Sequence, residues 1–223
     1  MRVEWYGQSA FHLSTAEQSV AIDPFTDMSE MAASRGMQFD YPLIEGVEAD
    51  LLLVTHEHGD HNGVEAILGS PTILRSTAGT LESPLGPVTA IASEHDEQAG
   101  TARGLNTIFV FELDGLRVCH FGDFGQSTLR EEQAAAIGAV DLLIVPVGGG
   151  PTIGAEQAAV LIERLSPRWV VPMHYRTERI NFLETAEEFL ERAAHVERLS
   201  ASAFDTEQLA QVDGPLVVVP AAP

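Results

Sequence analysis

Short apolar runs that end on polar residues alternate with segments of helical spacing, and the order of events occurs twice. Residues 19–23 and 50–56 read as strands ending at Asp23 and His56. A short helix is expected over 63–68 and another strand over 71–77. The second half repeats the plan: 116–123 is a strand that again ends in aspartate, Asp123. The stretch Asp141-Leu-Leu-Ile-Val-Pro146 mirrors Asp50-Leu-Leu-Leu-Val-Thr55, a helix is expected over 155–165, and 167–177 is the matching strand. Between the halves, 88–92, 106–112 and 116–119 add antiparallel strands around the turn pair Asp114-Gly115. A helix over 185–198 and a strand over 216–219 close the chain. No Pro/Gly/Ser linker separates the halves. The expectation is one layered α/β domain over residues 1–223, built from two similar halves.

Composition narrows the class. Apolar residues form 45% of the 223 and charged residues 20%, which excludes a disordered chain. No apolar run reaches the ~18 residues of a membrane span. Glu4 stands where a secretion signal would be apolar, and the single cysteine, Cys119, cannot pair internally, so a cytoplasmic protein is expected. Charge says more. Thirty-three acids against twelve bases give −21, and every base is Arg, since the chain contains no Lys. A nucleic-acid partner would meet repulsion in place of a basic stripe. Schiff-base and P-loop lysine chemistry are excluded outright, and neither a Gly-x-Ser-x-Gly elbow nor a Gly-rich dinucleotide loop is present.

The strongest chemical signal is His56-Glu-His58-Gly-Asp60-His61, directly after a buried strand. The three imidazoles within six residues repel one another when protonated, but as neutral rings beside the Asp60 carboxylate they suit zinc. The helical His-Glu-x-x-His pattern fails, because Asp60 occupies its last position. Four residues do not complete two metal sites. The missing donors are expected at comparable places: His95 in the loop before the hairpin, and Asp123 and His174 at strand ends.

The order Asp23, His56-x-His58-x-Asp60-His61, His95, Asp123, His174 resembles the metallo-β-lactamase superfamily over essentially the whole chain. Phe121-Gly-Asp-Phe-Gly125, Pro146-Val-Gly-Gly-Gly150 and Pro172-Met-His-Tyr-Arg-Thr177 are similar to its bacterial Zn-dependent hydrolases, a branch related to ascorbate-6-phosphate lactonase-like proteins. The segment Trp5-Tyr-Gly-Gln-Ser-Ala-Phe11 also resembles that branch, with Gln8 where the branch often has His. The resemblance implies a four-layer αβ/βα sandwich and two divalent metal ions, zinc first, with Mn, Fe or Ni as alternatives. It implies His56, His58 and His95 around the first ion, Asp60, His61 and His174 around the second, and Asp123 between them. Asp23 would orient a ligand histidine. Two ions, two carboxylates and a hydroxide leave about +1 at the site. The implied reaction is attack by a metal-bound hydroxide on a small ester, lactone or phosphodiester, with Asp60 as proton acceptor.

Other positions carry weaker expectations. His120 precedes the Asp123 turn and reads as a neighbour of the site, whereas His12 and His195 read as ordinary half-exposed residues. Residues 25–41, with Met28, Met31, Met37, Phe39 and Tyr41, read as a long loop above the end of the first strand that either lines the substrate or simply covers the core. Tyr175 and Arg176 follow His174 directly, and Arg176 is placed to meet an anionic group. The partner expected is a small molecule; membrane and nucleic acid are not, and oligomeric state is left open. Two rivals remain: a mononuclear iron oxygenase of the same fold, and a metal-binding module without turnover.

Overall fold

The computed structural model describes residues 1–223. Fourteen strands form two sheets. The first holds β1 (Arg2–Gly7), β2 (Ala10–Ser14), β3 (Ser19–Ile22), β4 (Leu51–Val54) and β5 (Thr72–Arg75). The second holds β6 (Gly79–Ser83), β7 (Gly86–Glu94), β8 (Leu105–Leu113), β9 (Leu116–His120), β10 (Leu142–Pro146) and β11 (Trp169–Met173). Of the last three strands, β12 (His195–Arg198) and β14 (Leu216–Val219) extend the second sheet, while β13 (Ala203–Asp205) crosses to pair with β1.

The two similar halves are visible in the pairing. Strands β1–β2–β3 are joined antiparallel, then β3–β4–β5 run parallel. Strands β7–β8–β9 are antiparallel and β9–β10–β11 parallel, in the same order. The central parallel strands β4 and β10 are buried on both faces, which is why they read as unbroken apolar runs rather than alternating ones. In β4, Leu51 and Leu53 join the large core between the sheets, while Leu52 joins a smaller cluster on the outer face with Phe25, Phe39 and Tyr41. Helix α3 (Ala155–Leu165) buries Ala155, Ala158, Leu161 and Ile162, one stripe at helical spacing.

Several boundaries differ from the sequence expectation. The helix expected over 185–198 is only α4 (Glu187–Leu190), which seats Phe189 and Leu190 in the core. Its second half is β12, because parallel pairing of His195–Arg198 with β14 satisfies more backbone groups than a solvated helix end would. The helix expected over 63–68 is a single 3-10 turn at Val64–Ala66. The segment expected as a loop over 25–41 carries helix α1 (Ser29–Ser34), and α2 (Glu131–Ile137) lies where no element was expected. No helix is long and apolar enough to cross a membrane.

Candidate metal centre

Strand ends deliver the polar residues to one place. Asp23 follows β3, His56 follows β4 after Thr55, His120 ends β9 three residues before Asp123, and His174 follows β11. Three non-glycine residues here adopt left-handed backbone: Gln8 (φ 50°), Asp23 (φ 46°) and His174 (φ 50°). Such conformations cost energy and persist where the surrounding structure fixes them, typically at functional sites. Gly122 (φ 53°) allows the Asp123 turn to close, since a Cβ there would sit 2.7 Å from Thr55 Cβ.

The rings are held from behind so that their Nε2 atoms converge. His61 Nδ1 lies 2.9 Å from Asp23 Oδ2, and His95 Nδ1 donates to the Pro151 carbonyl at 3.0 Å. His56 Nδ1 lies 3.1 Å from Thr55 Oγ1, and His174 Nδ1 lies 3.5 Å from Thr152 Oγ1. With those atoms engaged, four Nε2 atoms face the Asp123 carboxylate: His95 at 3.1 Å, His61 and His174 at 3.3 Å, and His56 at 3.9 Å. His58 stands beside them, its Nδ1 3.0 Å from His56 Nε2. Asp60 sits 3.7 Å from His61 Nε2, and Gln8 Nε2 donates to its Oδ2 at 2.9 Å.

Burial and charge explain the protonation states. Burial, with His61 as the nearest added charge, pushes His56 down to about 2, so it is neutral at any physiological pH. Burial would lower His61 as well, but the carboxylates of Asp123, Asp60 and Asp23 outweigh it and raise the imidazole well above its usual value. Burial would raise Asp123; His174 and His61 overcome that and hold it well below the usual carboxylate range.

The donor set fits divalent metal. Three groups have ligand atoms within 4.8 Å of one another: His56–His58–His95, His56–His61–Asp123, and Asp60–His61–His174. The Nε2 of His61 is fully buried and, despite Asp123 3.3 Å away, has no hydrogen bond of acceptable geometry. A buried nitrogen without a hydrogen bond, facing a carboxylate among other imidazoles, has the surroundings of a metal ligand. Imidazole and carboxylate without thiolate suit zinc, manganese, iron or nickel.

Of the other expected residues, His120 lies just behind the centre, with Nε2 donating to the Ser9 carbonyl at 3.1 Å and Nδ1 accepting the Gly122 N–H at 3.1 Å. Phe39 lines a cavity of about 950 Å³ over His58, Asp60, His95, Asp123 and His174. Tyr41 does not line it: it is buried under Phe39, its hydroxyl 3.0 Å from Thr177 Oγ1. Tyr175 is stacked on Trp5 at 5.5 Å, and Arg176 is exposed to solvent outside the cavity lining. Position after a ligand histidine misled here, because β11 ends at Met173 and the left-handed backbone of His174 (φ 50°) turns the chain, so the residues that follow do not share its direction. The cavity arginines are instead Arg35 and Arg103, and Phe182 joins the methionines on its wall. Nothing in the sequence marked Arg103 except its closeness to His95.

Two stacked halves, parallel strands at the centre of each sheet, and histidine and aspartate side chains gathered at the strand ends define an α/β sandwich hydrolase-type fold. Residues 2–174 match the beta-lactamase superfamily domain. The chain belongs to that superfamily. It is 32% identical over 203 residues to a UPF0173 metal-dependent hydrolase of Nitratidesulfovibrio vulgaris, covering 79% of this chain and 80% of the relative. It is 30% identical over 200 residues to another from Thermococcus onnurineus, covering 79% and 85%. Among solved structures it is similar to a Thermotoga maritima protein assigned as a Zn-dependent hydrolase of the metallo-beta-lactamase superfamily, with 26% identity and a TM-score of 0.78 over 100% and 99% of the two chains.

Proposed function

We propose that this chain is a dinuclear metal-dependent hydrolase acting on a small ester, lactone or phosphodiester. The observation that supports it is the convergence of four imidazole Nε2 atoms on Asp123, with His61 Nε2 buried and without a hydrogen bond of acceptable geometry. His56, His58 and His95 would hold one ion and Asp60, His61 and His174 the other, with Asp123 facing imidazoles of both groups. Divalent ions there supply Lewis acidity and make water nucleophilic at neutral pH.

The chain's own residues do the rest. Asp23 fixes His61 through Nδ1, so that ring presents its other nitrogen without reorganising. Gln8 donates to Asp60 Oδ2, the oxygen 3.7 Å from His61 Nε2, and so holds that carboxylate at the centre, where it can accept a proton from the attacking water. Asp60 is the one carboxylate of the centre with substantial solvent access, its side chain 23% exposed against 3% for the side chain of Asp123, so a proton can leave from it to bulk water. The substrate is compact rather than a nucleic acid, since −21 without Lys offers no track for a polyanion.

The reading is tested by loading metal-free protein with zinc, manganese, iron or nickel, then measuring metal content and turnover of an aryl ester, a lactone and a bis-aryl phosphodiester. Two ions per chain and turnover of at least one substrate are expected. One ion per chain, or oxygen consumption by an iron form without hydrolysis, defeats it.

A further inference from the structure

The cavity over the metal centre has two chemically distinct walls, and its arginines are conspicuous in so acidic a chain. Of the twelve arginines, Arg75, Arg117, Arg130, Arg164, Arg192 and Arg198 pair with carboxylates. Arg168 and Arg179 donate to other oxygens. Four guanidiniums, those of Arg2, Arg35, Arg103 and Arg176, have neither an ion pair nor a hydrogen bond, and two of these, Arg35 and Arg103, line this cavity. With thirty-three acids available, a guanidinium left unpaired beside a cavity is free for an external anion.

Both arginines are carried by fixed backbone. The N–H of Arg35 donates to the Ala32 carbonyl at 3.0 Å, closing the end of α1. The Arg103 N–H donates to Asp96 Oδ2 at 2.7 Å, and the same carboxylate takes the N–H groups of Gln98, Gly100 and Ala102. The only wall carboxylate outside the metal centre, Glu57, is already engaged by the Arg75 guanidinium and the Ser76 hydroxyl. The remaining wall is apolar: Met28, Met31, Met37, Phe39 and Phe182. Gly59 brings this wall to the metal loop, since a Cβ there would meet Met28 Cε at 3.3 Å.

The geometry points to a substrate class: a compact molecule with its reacting acyl or phosphoryl group at the metals, an apolar middle of several carbons, and a second, anionic group bound by Arg35 and Arg103. The inference rests on the dinuclear reading above but concerns the far end of the ligand. Net charge repels anions from the molecule as a whole, so the two arginines act as a local reversal of that field, and the selectivity belongs to the cavity.

The test uses zinc-loaded protein and two probes that share a metal-binding head, hexanohydroxamate and adipic acid monohydroxamate, which differ in a terminal carboxylate. Binding is measured by titration calorimetry, so no turnover is required. The carboxylate probe is expected to bind about tenfold tighter, as suits a charge-assisted contact, and that ratio should collapse towards one in the Arg35→Gln/Arg103→Gln double variant. Arg2→Gln, which removes a unit charge from an exposed position outside the cavity, should leave the ratio unchanged. Equal affinities in the wild type, a ratio preserved in the double variant, an equal loss in Arg2→Gln, or no binding of either probe would overturn the inference. Absence of hydrolysis of every ester, lactone and phosphodiester, together with the expected probe ratio, would defeat the hydrolase reading and leave this one standing.

Discussion

Asp23 and Asp123 occupy equivalent places in the two halves, each just past the last antiparallel strand before the parallel ones begin. Both are buried, 0% and 2% exposed, yet they are used in opposite ways. Asp23 is saturated by the protein: it accepts the Thr55 N–H at 2.8 Å and the Thr55 hydroxyl at 2.7 Å, and it holds His61 Nδ1. The carboxylate of Asp123 receives one long hydrogen bond, from Ser9 Oγ at 3.4 Å, and otherwise faces imidazole nitrogens. A duplicated aspartate has thus become a structural anchor in one half and an open coordination group in the other. Saturation by fixed donors, rather than burial, separates the two roles.

Substitutions can break this contrast. The largest effect is expected from Asp123→Ala. It removes the carboxylate that four imidazole Nε2 atoms face, so metal content should fall below two ions per chain and turnover by roughly 10³-fold, read by elemental analysis and a hydrolysis assay. Asp23→Ala should act mainly on the fold. It strands His61 and two Thr55 donors in the interior and should cost about 3–5 kcal/mol in chemical denaturation of the metal-free protein. If Asp123→Ala destabilises the metal-free protein more than Asp23→Ala, the contrast is wrong.

A smaller change sharpens it. Gln8→Leu removes the donor to Asp60 Oδ2 while keeping the volume, and a loss of turnover of about tenfold is expected, as for other groups that orient a metal ligand. Unchanged turnover would assign Gln8 to packing alone. The smallest effect concerns Cys119, whose thiol is pushed by burial far above its ordinary value of 9.0. A raised folded value means the unfolded chain ionises first, so stability is kept below pH 9.0 and lost as pH rises beyond it. Cys119→Ala should show a shallower loss in alkaline denaturation, and the native thiol should resist an aromatic disulfide reagent at pH 8.

The centre was legible because its chemistry is local. Three imidazoles and a carboxylate in six residues after a buried run are hard to reconcile with packing or simple solvation, and the internal repeat directed attention to Asp123 and His174. The cavity was less legible, since Tyr41 and Tyr175 follow the same apolar logic as Phe39 but belong to the layer beneath it. Which aromatic meets solvent depends on how 25–41 folds over the outer face of the first sheet, a tertiary choice with no short-range signature. Residues 195–198 misled for a related reason. His-Val-Glu-Arg continues a helical pattern, and only the arrival of β14 makes a strand the better partner.

The excursion of β13 bears on how the molecule reaches its native state. The chain leaves the second sheet after β12, lends three residues to the edge beside β1, and returns as β14 between β11 and β12. The first sheet therefore cannot complete its edge until more than two hundred residues have left the ribosome. Contacts this distant in sequence carry a high loop-closure cost and slow folding. Emerging halves would wait as incomplete sandwiches, and the final stitch would couple them, so that global unfolding proceeds as one transition despite the repeat.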